Sequence, residues 1–256
     1  PTFARLAAKH PRQVSTFAAH KAARVLKRGG RLVIVDFAPH QLEFLREEHA
    51  HRRLGFAAEE AKHIHLFKRF RDEFRSEFGT DCAVIGPPSE IAKAVLAHHP
   101  LSVAMVILHI EWMTQRHYLD SIKNDQDLDP QFKSLLKHHW LEEAQHAKLD
   151  TMMIEALAAG MPEHQIKEGV ADYLDIGGFL DTGLKQQTLF DLEAFEAATG
   201  RTLTEAEREE FITVQHQANR WTYLGTGMSH PKFLETVGAL DPAEREKLEE
   251  IVPAFC

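Results

Sequence analysis

The run HHWLEEAQHAKLD, residues 138–150, places two glutamates, three histidines and a tryptophan within a few helical turns. Glu143 and His146 within it form Glu-x-x-His. Residues three apart share a helix face, so a carboxylate and an imidazole there can converge on one ion. Helices rich in glutamate and histidine also produce this spacing by chance, and a solvated face is the plain alternative. A metal reading therefore requires an acid at matching height on a neighbouring helix. VILHIEWMTQ, residues 106–115, supplies Glu111. Val103, Val106, Ile107, Ile110, Met113 and Thr114 flank it, and an ionised carboxylate on such a face is costly unless paired or metal-bound. Glu111 stands 32 residues before Glu143, a separation suited to antiparallel neighbours joined by a short loop.

A second pair of ligands is sought further along. Asp181 lies close to an apolar stripe of Ile166, Val170, Tyr173, Leu184 and Phe195, 35 residues after His146. His216 stands another 35 residues on, in His-x-x-Asn with Asn219, and Arg220 and Tyr223 continue that face. An arginine beside a metal site opposes cation binding or replaces one cation's charge. The candidate ligands are thus Glu111, Glu143 and His146 for one ion and Asp181 and His216 for a second. Asp181 and His216 read equally as a buried polar network with Asn219, Arg220 and Tyr223. His138 and His139 read as surface or loop-facing, Trp140 as core, and His109 as pointing away from Glu111.

The elements that must position these groups follow from periodicity and caps. Helices are expected near 101–124, 130–159, 163–198 and 204–226, the third with a kink at Gly177-Gly178 and the last opened by a Thr204/Glu207 capping box. Before them, AAEEAKHIHLFKRFRDEFRSEFG carries Ile64, Phe67, Phe70, Phe74 and Phe78 on one stripe and ends at Gly79. Ser89 is the expected N-cap of the helix after GPPSE, and DPAEREKLEEIV reads as a short terminal helix. RLVIVDF, residues 31–37, reads as a buried strand with DCAVIG, residues 81–86, as one possible partner.

Composition narrows the function classes. A net charge of -8 argues against a general nucleic-acid binder. The longest apolar run, LSVAMVIL, is too short to span a bilayer. Two distant cysteines, Cys82 and Cys256, suggest no disulfide framework and a reducing cytoplasm. The start at Pro1 rather than Met raises the expectation of a fragment. A homodimer is expected through the Phe67/Phe70/Phe74/Phe78 helix or through the unpaired strand.

Two resemblances attach to these segments. AARVLKRGGRLVIVDFAPHQLEFLREEHAHRRLGF, within residues 12–57, resembles the later part of a class I S-adenosylmethionine-dependent methyltransferase. That family's Gly-rich loop and following acidic residue have no counterpart here, so the resemblance implies no S-adenosylmethionine site in this chain. Residues 100–227 resemble the ferritin-like di-iron carboxylate superfamily. This resemblance implies an antiparallel four-helix bundle, iron or manganese as cofactor, carboxylates bridging two cations, and dioxygen chemistry; the second half departs from the superfamily's pattern. The expected organisation is mainly α: a methyltransferase-like fragment (1–58), connecting helices (59–99) and a ferritin-like bundle (100–256). Three functions stay open: a di-metal oxidoreductase, a non-catalytic helical assembly module, and the tail of a methyltransferase with an appended bundle.

Overall fold

Helix α3, Pro100–His117, is central to the packing of the second half of the chain. Pro100 at its first position lacks the N–H that would find no intrahelical partner there, and the His99 side chain accepts the Leu101 N–H at 3.2 Å. Leu101, Ala104, Met105 and Leu108 are buried along one side. The computed structural model that shows this describes residues 56–255, with side chains from residue 62 onward, position 78 excepted.

The described chain is mainly α, without a strand among the described residues. Helix α1 spans Phe56–Phe78 and α2 spans Pro88–Leu96. After α3 comes a π-helical segment, Tyr118–Ile122, then α4, Pro130–Ala158. Helix α5, Glu163–Thr199, runs 37 residues without interruption through Gly177-Gly178. Helix α6, Glu205–Arg220, continues into a second π segment, Trp221–Gly225, and a single turn, Thr226–Met228. Two further helices follow, α7 at Pro231–Leu240 and α8 at Pro242–Ile251. The described residues fall into two units, divided between Phe67 and Lys68 inside α1.

Helix ends follow the sequence. Thr204 and Glu207 form the expected capping box. Asp129 accepts the Phe132 N–H at 2.8 Å and starts α4. Two expectations change. The N-cap of α2 is Pro87, not Ser89. DCAVIG is a loop, because one side-chain amide replaces a partner strand: Gln187 Oε1 accepts from Ile85 N at 3.1 Å, and Gln187 Nε2 donates to Ala83 O at 3.0 Å. The strand at 31–37 and nearly all of the methyltransferase-like segment lie outside the described residues.

Within the second unit, α3 is flanked by α4, α5 and the Trp221–Met228 stretch, and α6 packs on α5. The core joins Leu101, Met105, Leu108, Ile154, Val170, Ile176, Phe233 and Leu248. Close approach demands small residues at several points, Gly169 and Gly227 among them. A Cβ on Gly169 would stand 2.9 Å from Leu101 Cδ2. One on Gly227 would stand 2.5 Å from the His109 carbonyl oxygen and 2.4 Å from its ring. Of the phenylalanine stripe, Phe70 packs on Phe132 with ring centroids 5.3 Å apart, whereas Phe74 is exposed. The Phe78 side chain lies outside the described residues. No helix among the described residues is long and apolar enough to cross a membrane.

Candidate metal centre

The seam of α4 that faces α3 changes character part-way along. Ile154 and Ala158 are buried at its C-terminal end. Before them the same line holds His139, Glu143, His146 and Asp150, at successive steps of four, three and four residues. These steps keep side chains on one face, the positions that apolar residues fill in an ordinary helix pair. Glu143, His146 and Asp150 are 4%, 0% and 2% exposed. Glu111 meets them from α3 and is itself 8% exposed.

The distances define a compact donor set. His146 Nδ1 lies 2.5 Å from Glu143 Oε2 and 3.8 Å from Glu111 Oε1. One ligand atom from each of Glu111, Glu143 and His146 falls within 4.8 Å of the other two. Donors about 2.1 Å from a shared ion stand about 3 Å apart when cis and about 4 Å when trans, so the set fits one cation after small side-chain shifts. Sequence spacing therefore brought together three of the five candidate ligands.

Glu111 is held as the neutral acid. Burial and the adjacent Glu143 carboxyl, which also hydrogen-bonds it, push its pKa up to about 10. Asp150 adds to this push, and His146 opposes it. Asp150 was not among the sequence candidates, although its position four residues after His146 was a usable signal. His139 was read as surface-facing. It is partly buried instead, and its Nε2 lies 2.7 Å from Glu143 Oε1. Its neighbour His138 is exposed and bonds back to Ser134 O at 2.7 Å.

Asp181 and His216 do meet each other, with His216 Nε2 3.0 Å from Asp181 Oδ1. The same oxygen accepts from Arg220 Nε at 3.0 Å, so a guanidinium occupies the cation's electrostatic place. Among the described residues, no group of three ligand atoms mutually within 4.8 Å includes either residue. The structure thus shows Asp181 and His216 in a polar network with Arg220, apart from the Glu111 group.

No protein family, curated protein or solved structure matches this chain. The site must be read from its own chemistry.

The surroundings fix the two helices. Gln115, one turn beyond Glu111, donates Nε2 to the Trp140 carbonyl at 2.8 Å. The Trp140 ring stacks on Tyr118 with centroids 4.8 Å apart. On the opposite side of α3, His109 points away from the site, as its two-residue offset from Glu111 requires. Its Nδ1 lies 2.6 Å from Tyr173 Oη and its Nε2 2.9 Å from the Tyr223 carbonyl. Burial lowers the His109 pKa to about 4, so the ring is neutral. Nε2 then donates to Tyr223 O, and Nδ1 accepts from Tyr173. These bonds set the rotation of α3 and with it the direction of Glu111.

Proposed function

We propose that this protein binds a transition-metal ion through Glu111, Glu143 and His146 and acts as a metal-dependent oxidoreductase that uses dioxygen. The observation that carries the reading is the gathering of two carboxyls and an imidazole, all buried, between α3 and α4. A buried acid kept neutral in the absence of a cation suits a position where a cation would replace the proton. Mixed oxygen and nitrogen donors suit iron or manganese. A bound redox-active ion would supply the electron transfer to dioxygen. The chain's own part is to orient the donors and limit water: His109 and Gln115 hold α3 in register, and the apolar layer of Met105, Leu108 and Ile154 lies along the same helix pair.

The helix order and the Glu-x-x-His on α4 support kinship with ferritin-like carboxylate bundles, with the second ligand pair given up to Arg220. The Arg220–Asp181 pair also supports a second reading, a helical module whose polar interior serves fold specificity rather than chemistry. Metal analysis separates the two. Protein purified without chelator is expected to hold stoichiometric iron or manganese, and Glu143→Ala and His146→Ala to lose it while keeping native helicity. A wild-type protein that takes up neither Fe²⁺ nor Mn²⁺ overturns the oxidoreductase reading and leaves the module.

A further inference from the structure

Glu143 is approached by an imidazole on each of its two carboxylate oxygens. Oε2 lies 2.5 Å from His146 Nδ1, and Oε1 lies 2.7 Å from His139 Nε2. The two histidines stand seven residues apart on α4, one turn to either side of Glu143. A carboxylate used in this way has both oxygens directed at separate nitrogen donors, the arrangement that a bridge between two cations requires.

We infer that α4 builds a second cation position at His139 and Glu143 Oε1, with Glu143 bridging it to the ion held by Glu111, Glu143 and His146. The inference rests on the metal reading of that first position. Its ligand class is a divalent first-row cation that accepts imidazole and carboxylate together. The two positions differ in access. The His146 side chain is fully enclosed, whereas that of His139 is 17% exposed. The His139 position is the more accessible of the two, so the outer ion exchanges first. This placement uses no residue of α5 or α6, and it explains how a two-ion centre coexists with Arg220 bonded to Asp181.

Equilibrium dialysis of the full chain against Mn²⁺, with metal quantified in the protein fraction, tests the inference. Wild type is expected to hold two ions per chain and to show the magnetic-resonance signature of a coupled pair. His139→Ala should hold one, with the uncoupled Mn²⁺ signature. His138→Ala, one position along on the exposed face, should still hold two. Circular dichroism confirms that each variant is folded, and if His139→Ala does not fold, His139→Gln gives the same comparison. One ion in both wild type and His139→Ala overturns the second position and leaves the first intact. Two ions in both overturns the role of His139. No ion in wild type defeats the metal reading itself, and this inference with it.

Discussion

Glu111 shows how far a single side chain can be moved from its usual behaviour by its neighbours. Its carboxyl keeps a proton up to about pH 10, whereas in the unfolded chain it loses it near 4.5. Between those values the folded protein binds the extra proton, so the contribution of Glu111 to metal-free stability is fully present below about pH 4.5 and declines as pH rises toward 10. Glu111→Gln removes this decline. Urea denaturation in chelator should show the variant gaining on wild type as pH increases from 5 to 9, and a constant gap would contradict the assigned protonation. Asp150→Asn is expected to lower the Glu111 pKa, since it removes one of the charges that raise it; carboxyl-resolved NMR titration reports this directly. At this scale the sequence was only partly legible. Glu111 stood out because an acid among apolar neighbours demands a reason, and Glu143 with His146 because three residues make one face. His139 was hidden by His138: two adjacent histidines look alike in a sequence, and only the folded packing makes one exposed and the other partly buried. Asp150 obeyed the same spacing rule as the others and required only that the seam be followed one turn further.

Helices were more legible than the contacts among them, because their signals are local. Proline at the first turn, an Asp or Thr cap, and a left-handed glycine at Gly79, Gly160 or Gly200 mark ends without reference to the rest of the chain. The loop at 81–86 misled for the opposite reason. Its β-branched residues read as a strand, but its backbone partner is the side chain of Gln187, more than a hundred residues away. Helix α7 went unread although Pro231 carries the same starting signal. Two element-scale outcomes follow. Thr204→Ala removes a capping box and should cost about 1 kcal/mol, measured by chemical denaturation. Gly227→Ala places a methyl group against the His109 backbone and ring, where the helix cannot yield, and should cost about 1–3 kcal/mol.

At the scale of the whole molecule, a cation that binds only the folded state stabilises it by mass action. At a free concentration of 100 times its dissociation constant this amounts to about 2.7 kcal/mol. Thermal unfolding should therefore move to higher temperature as Mn²⁺ is added and return on adding chelator, and Glu143→Ala should respond to neither. The folded unit also presents apolar side chains to solvent. Phe74, Ile107 and Ile110 are each more than a third exposed, and Phe70 is already engaged with Phe132. A homodimer through the phenylalanine helix would thus draw on a narrower surface than the full stripe suggests.

The bond from His109 to the Tyr223 carbonyl offers a way to watch this protein assemble. The imidazole is sealed from water and carries its proton on one known nitrogen, so that proton should exchange slowly and resonate well apart from the crowded amide region. Its appearance during refolding would report the moment when two helical segments 114 residues apart in the chain first lock together.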